Sequence, residues 1–292
     1  MKSSYFQCGR FRYPLTAGAR PLVMGVLNVT PDSFSDGGHF ASLDLALTRA
    51  EQMIADGVDI IDIGGESSRP GAAPLPLDQE LRRVMPVLFA LRDCGKALSV
   101  DTYKPEVMRE AIAAGADMIN DINGFRAEGA LTAVNDSDCA LCIMHMQKDP
   151  ATMQLKPEYE DVTREVTQFL RERVEAAETA GIDRKRLCVD PGFGFGKTVD
   201  HNLALLRDIE KMSVETGVPV LAGVSRKSMI GAITGKPVEQ RLAGSLAAAL
   251  AAVVRGARII RVHDVAETVD ALKVWAAVAN TKQGETGVEH DA

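Results

Sequence analysis

Polar and ionisable residues recur in this chain at one kind of place, the carboxyl end of a short apolar run. Asn28 follows the run 22–27, Asp62 and then Glu66 follow 59–63, Asp101 ends 97–101, and Asn120 and Asp121 fall late in 117–122. Met144 and His145 fall late in 140–146, and Asp190 ends 187–190. Ser225, Arg226 and Lys227 follow 219–224, and Arg261, His263 and Asp264 finish the stretch begun at 258. A single such residue could be a helix cap, a reading that suits Asp264 or Ser42. Eight runs ending alike point instead to one shared site. Asp101, Asn120, Asp190 and Lys227 could grip the edge of a flat heterocycle, one carboxylate accepting two adjacent N–H groups, and Asp190 suits that clamp. The alternative is an internal network in which Lys227 neutralises a buried carboxylate. Arg261 and His263 alternate along one strand and so face the same way. With Arg69, and with Asn28 near by, they form a cationic group that would attract a diphosphate and, with a divalent ion, stabilise its departure. The spacing supports no Ser/His/Asp or Cys/His pairing, so positioning and charge stabilisation are expected rather than attack by a protein nucleophile.

Three glycine-rich segments flank these residues. NVTPDSFSDGG (28–38) carries Phe34, and GGESSRPGA (64–72) sets Arg69 and Pro70 among turn formers, so both read as loops that cover a substrate. DPGFGFGKT (190–198) fits neither a Walker A loop, because Pro191 stands where a glycine is needed, nor a GxGxxG fingerprint. What remains is pliable backbone carrying Phe193 and Phe195 beside a strand-end aspartate, which suits a flat aromatic ligand. Cys139 and Cys142 form a CxxC, but no second pair completes a zinc site and the run CALCIMHM reads as a buried strand, so core packing is expected.

The elements that must position these groups are eight runs of strand length, each followed by a longer amphipathic stretch, such as 42–56, 78–92, 105–114, 160–180, 199–214, 238–255 and 264–278. Eight successive βα units in 292 residues predict an α/β fold, a closed (β/α)8 TIM barrel, ahead of an open doubly wound sheet. Active sites of such barrels lie at the carboxyl ends of the strands, where the polar residues fall. Residues 1–20 are too polar for a barrel strand and predict a β-hairpin, turned near Gly9 or Gly18, over the barrel floor. Residues 1–280 are expected to form one domain and 281–292 a polar tail. Hydrophobic residues at 46% support a full core, and a net charge of −7 argues against nucleic acid as a partner. No run reaches the roughly 20 apolar residues of a membrane span, and the amino terminus lacks a signal-like stretch. With five scattered cysteines, a cytoplasmic location is expected.

Taken together, MGVLNVTPDSFSDGG from Met24, DIGGESSRPGA from Asp62, VDTYK from Val100, INDI from Ile119, MHMQ from Met144, DPGFGFGK from Asp190, GVSRKSMIG from Gly223 and RVHDV from Arg261 closely resemble the dihydropteroate synthases, in that family's order. The resemblance implies condensation of 6-hydroxymethyl-7,8-dihydropterin pyrophosphate with p-aminobenzoate, through a pterin cation, on the route to folate. It implies a pterin pocket of Asp101, Asn120, Asp190 and Lys227 lined by Met144 and Gly223. Asn28, Arg69, Arg261 and His263 would hold the pyrophosphate, Asn28 through Mg2+. The p-aminobenzoate, or a competing sulfonamide, would lie among Phe34, Ser68, Pro70, Phe195 and Lys227, its carboxylate near Ser228 at a helix start. Asp101, Asp190, Lys227, Arg261 and His263 would carry the catalysis. Ser68 stands where the family often has Thr, and Lys148 where Gly often follows MHMQ. The resemblance also implies a homodimer built on late helices, to which the Ala-rich run 241–257 would contribute. Two other readings share the barrel and the pterin pocket: a methyltransferase module that serves a corrinoid partner, and a homologue that binds pterin without turnover.

Overall fold

The computed structural model describes residues 4–16, 18–29, 39–67, 74–147, 153 and 157–279. An antiparallel hairpin comes first, β1 (Tyr5–Cys8) and β2 (Phe11–Pro14), turned at Gly9 and Arg10. Gly9 has φ +53° and lies against Asp117 so closely that a Cβ would sit 2.5 Å from its carboxylate, which leaves glycine as the residue that fits. Then come β3 (Leu22–Asn28), β4 (Ile60–Gly64), β5 (Ala97–Asp101), β6 (Met118–Asp121), β7 (Ala140–Met144), β8 (Leu187–Asp190), β9 (Leu221–Ala222) and β10 (Ile259–Val262). They form one parallel sheet in the order β8-β7-β6-β5-β4-β3-β10-β9. Its two ends meet where Val189 bridges Val220 and the Val189 N–H donates to the Pro219 carbonyl at 3.0 Å. That contact closes the cylinder. The architecture is a (β/α)8 barrel with an N-terminal hairpin, and the open sheet is excluded.

The helices are α1 (His39–Ala55), α2 (Leu77–Leu91), α3 (Pro105–Ala113), α4 (Ala130–Val134), α5 (Val162–Thr179), α6 (Val199–Arg207), α7 (Ile209–Thr216), α8 (Ser228–Thr234), α9 (Leu242–Val254) and α10 (Val265–Ala279). Three details differ from expectation. The stretch 199–214 is two helices, because Asp208, at φ −102° and ψ 17°, leaves the helical region between them. Ser42 falls inside α1 rather than ahead of it, and Asp264, though it immediately precedes α10 and accepts the Thr268 N–H with its carbonyl, spends its carboxylate on Arg226 instead of on the helix. The seventh barrel strand is two residues long rather than the six of 219–224.

Side-chain alternation sorts the barrel into an inside and an outside. Ile61, Ile63, Val100, Ile119, Leu141, Val189 and Ile260 face outward and pack with the helices. Inward residues change character along the axis. At the amino ends of the strands, Met24, Ile60, Met118 and Ile259 join Phe6 and Cys8 of the hairpin in an apolar plug. The hairpin thus covers the floor as predicted. Arg10 pairs there with Asp117, and Arg20 with Asp59. Cys139 and Cys142 are buried free thiols, which bears out the core reading of the CxxC.

Candidate active site

Two residues further along each strand, and four on β5, the inward positions become polar. Asp62 follows Ile60 on β4, Ser99 and Asp101 follow Ala97 on β5, Asn120 follows Met118 on β6, and Arg261 follows Ile259 on β10. Register places them side by side: Asp62 is level with Ser99, and Asp101 with Asn120. The alternation also separates neighbours of like chemistry. Asn120 faces the well, whereas Asp121 turns outward and accepts the N–H groups of Asn123 and Phe125, both at 2.7 Å. Asp121 therefore shapes a turn.

The cation that meets the well's carboxylates is Arg261, not Lys227. Its Nε donates to Asp62 Oδ2 at 2.7 Å and its terminal nitrogen to Asp101 Oδ2 at 2.8 Å. Asn120 adds a longer amide contact to Asp62 Oδ2 at 3.3 Å. The expected network exists, but its positive centre comes from β10, and the supposed division between a carboxylate well and a separate basic rim runs through this one side chain. Asp62, left without a role in the sequence reading, is the fully buried hinge of that network. Three buried polar atoms of the layer have no hydrogen-bond partner: Asp62 Oδ1, Ser99 Oγ and Asn120 Oδ1. Buried polar atoms are almost always satisfied, so three in one layer point to a polar ligand.

Burial dominates the electrostatics here. It pushes Asp101 up to about 7, even though Arg261 beside it pulls the other way. It raises Asp190, with the Gly192 N–H and then Lys227 opposing. Burial, reinforced by the charge of Arg261, lowers Lys227 to about 8. Burial also works against the charge on Arg261, but Asp62 and Asp101 outweigh it and hold the guanidinium protonated. A carboxyl and an amine that titrate near neutrality, Asp101 and Lys227, are easily switched by a bound charge.

Asp190 ends β8 with Oδ1 accepting the Gly192 N–H at 2.7 Å. A Cβ on Gly223 would lie 3.6 Å from its Oδ2, so the glycine keeps that side of the carboxylate open. The following loop is pinned at several points. Lys197 Nζ donates to the Phe195 carbonyl at 2.9 Å and lies 3.0 Å from His145 Nδ1, Tyr159 donates to the Gly196 carbonyl at 3.0 Å, and Asn202 Oδ1 accepts the Gly194 N–H at 2.8 Å. Gly192 has φ +70°, and a Cβ there would stand 1.9 Å from the His145 carbonyl. The loop is thus a fixed wall rather than the pliable one its glycines suggest, and it sets the Phe195 ring 4.3 Å from Lys227 Nζ. Met144 and Met146 form a small apolar cluster on the same side, with Phe195 packed against it.

Ser228 opens α8 directly after Lys227, as expected. Asn28 ends β3 beside Gly64, where a Cβ would meet its Oδ1 at 3.3 Å and Asp101 Cβ at 3.8 Å. His263 Nδ1 lies 3.1 Å from Ser225 Oγ, a Ser/His pair that spacing alone did not reveal. It is no nucleophile and base: the serine is buried, and Asp264, the adjacent carboxylate, is engaged by Arg226. Phe34, Ser68, Arg69 and Pro70, with Lys148 and the tail 281–292, lie outside the described residues. Glu66, just before one of those segments, accepts from Tyr103 at 2.8 Å and from the Leu75 N–H at 3.0 Å, and it pairs with Lys104.

With this geometry in view, the comparisons are informative. The family model described as pterin binding enzyme matches residues 24–263. A dihydropteroate synthase of Haemophilus influenzae is 52% identical over 263 residues, covering 89% of this chain and 94% of its own. The solved structure of Burkholderia cenocepacia dihydropteroate synthase, complexed with 7,8-dihydropteroate, is similar at a TM-score of 0.86 and 55% identity, covering 94% of this chain and 96% of that one. Xanthomonas albilineans dihydropteroate synthase with 4-aminobenzoic acid gives a TM-score of 0.88 and 51% identity, over 96% and 100%. Matches of this length and identity, on a barrel whose polar layer is assembled as described, show that the chain belongs to the pterin-binding enzymes and, within them, to the dihydropteroate synthases.

Proposed function

We propose that the chain condenses 6-hydroxymethyl-7,8-dihydropterin pyrophosphate with p-aminobenzoate, yielding 7,8-dihydropteroate and pyrophosphate. The observation that carries the reading is the polar layer with its three unpartnered buried atoms, set beside Asp190 and Gly223. Asp190 accepts the adjacent N–H groups of the pterin, and Asn120 meets a further polar edge. Lys227 faces the pterin carbonyl side, and Met144 and Gly223 line the ring's faces. Loss of the diphosphate leaves positive charge on the pterin methylene, which Asp101 opposes across the ring. The same Asp101 carboxylate accepts from Arg261 at 2.8 Å. The arylamine, held between Phe195, Lys227 and Ser228, with Phe34, Ser68 and Pro70 on the proposed covering loops, then attacks that carbon with its nitrogen lone pair and gives up one N–H proton to solvent. A sulfonamide would compete for the same place. The diphosphate meets Arg261, His263 and Arg69.

Magnesium fits this scheme as an ion carried with the diphosphate. Asn28 offers one hard amide oxygen at the mouth, and among the described residues no group of three or more His, Cys, Asp or Glu is arranged to hold a metal. Such an ion keeps several waters and takes substrate oxygens as ligands. When bound, it supplies positive charge to the departing group. Two further readings accompany this one, the first resting on the family resemblance and the second on length and composition. One is a homodimer, for which Val254, Val274 and Val278 are exposed on α9 and α10. The other is a cytoplasmic location for one domain spanning 1–280; among the described residues no helix is long and apolar enough to cross a membrane.

The test is pyrophosphate release measured with both substrates and magnesium, and again with each omitted. Release that needs p-aminobenzoate and yields dihydropteroate is expected. Pterin binding with no release would favour the inactive homologue, and methyl transfer to a corrinoid would favour the methyltransferase module.

A further inference from the structure

His263 has two ring nitrogens, and which one carries the proton decides what it can offer an anion. Burial, followed by the charge of Arg261, lowers its pKa to about 4, so the ring is neutral near pH 7 and only one nitrogen is a donor. Ser225 Oγ lies 3.1 Å from Nδ1, and the same oxygen accepts the backbone N–H of His263 at 3.3 Å. Among the described residues the serine hydroxyl has no other acceptor. With Nδ1 the one acceptor within reach of the serine proton among the described residues, the hydroxyl donates there, and Nδ1 is then the bare, accepting nitrogen.

We infer that Ser225 is a positioning residue that fixes His263 in the Nε2–H tautomer, so that Nε2 presents a donor to the leaving diphosphate. The inference rests on the reading that His263 meets that group. Neighbouring contacts hold both partners in register. Arg226 follows at φ +57°, a strained conformation for a non-glycine residue, and is held there by its N–H to Ser245 Oγ at 2.9 Å and its ion pair with Asp264. The Arg241 guanidinium donates to the Arg226 carbonyl at 3.1 Å. Arg49 donates to the His263 carbonyl at 2.8 Å, fixing the other strand end. A flipped tautomer would place two protons between Ser225 and the ring, or force the hydroxyl away to no partner. It would also turn a lone pair toward the phosphate oxygens.

The direct readout is the 15N spectrum of histidine-labelled protein at neutral pH, with the His263 signal assigned by its loss in His263→Gln. A protonated Nε2 and bare Nδ1 are expected in the native chain, a mixture of tautomers in Ser225→Ala, and recovery in Ser225→Thr. The KM for the pterin pyrophosphate should rise about fivefold in Ser225→Ala, the equivalent of one neutral hydrogen bond, with the KM for p-aminobenzoate unchanged. A protonated Nδ1 in the native chain overturns the inference, and so does an Nε2–H tautomer that survives in Ser225→Ala. If the tautomer behaves as expected but added pyrophosphate leaves the Nε2 signal unmoved, the tautomer assignment stands and the diphosphate reading of His263 fails.

Discussion

The two ends of the barrel are built from the same strands and the same pleat, yet they treat polar atoms in opposite ways. At the floor, Asp117 accepts from the Arg10 backbone and side chain and from the Leu98 N–H, all within 3.0 Å, and the space between strands is filled by Phe6 and its apolar neighbours. At the mouth, Asp62, Ser99 and Asn120 each keep a buried atom without a partner, and Asp101 and Asp190 are pushed toward their protonated forms by burial. The floor contributes stability. The mouth forgoes it, as binding sites do when their polar groups are arranged for a ligand rather than for one another.

Changes at the mouth should therefore alter binding more than folding, and changes at the floor the reverse. The largest effect is expected for Asp190→Asn, which keeps an acceptor for the Gly192 N–H but replaces the other oxygen with a donor. Two charge-assisted hydrogen bonds to the pterin are lost, on the order of a thousandfold in affinity. Calorimetric titration with the pterin pyrophosphate checks this, and affinity within a few fold of the native chain would remove the clamp. Next comes Phe6→Ala at the floor, where a side chain only 1% exposed is deleted. A stability loss of about 3–5 kcal/mol in denaturant titration is expected, with KM for both substrates unchanged. Equal damage to KM would mean that the two ends are coupled.

The smallest effect sharpens the contrast through pH. Because burial raises Asp101 from its ordinary 3.8 to about 7, the folded chain holds that proton more tightly than the unfolded one. The stability this group contributes is full below 3.8 and is lost as pH rises through about 7. Denaturant titrations at pH 5 and pH 8 should show a larger drop for the native, ligand-free chain than for Asp101→Asn. Equal drops would mean that Arg261 keeps the carboxylate charged throughout.

Much of the fold was legible because buried parallel strands read as unbroken apolar runs, and all eight appear where those runs lie. The break at Asp208 was not legible, since apolar periodicity continues through it. The short helices α4 and α8 carry too few turns to show a period. At the site, the strand-end rule placed Asn28, Asp101, Asn120, Asp190, Lys227, Arg261 and His263 at one mouth. What it could not supply was pairing. Asp62 and Arg261 meet across 199 positions and Ser225 and His263 across 38, and only the closed circle of strands brings them together. Asp62 carried the signal that could have found it, an inward strand position level with Ser99 on the next strand. The part Lys197 plays in stiffening the wall that bears Phe195 was equally illegible, since its contact with His145 spans 52 positions.

The closure of the cylinder is unevenly stitched. β7 and β8 are in register over four residue pairs, whereas among the described residues β8 is bridged on its other side only by Val189–Val220, at the residue just before β9. Asp190 stands on one bank of that gap and Gly223 on the other. A heterocycle clamped by the first and lying on the second would span the barrel's weakest joint, so the substrate itself would serve as a rivet for the enzyme that consumes it.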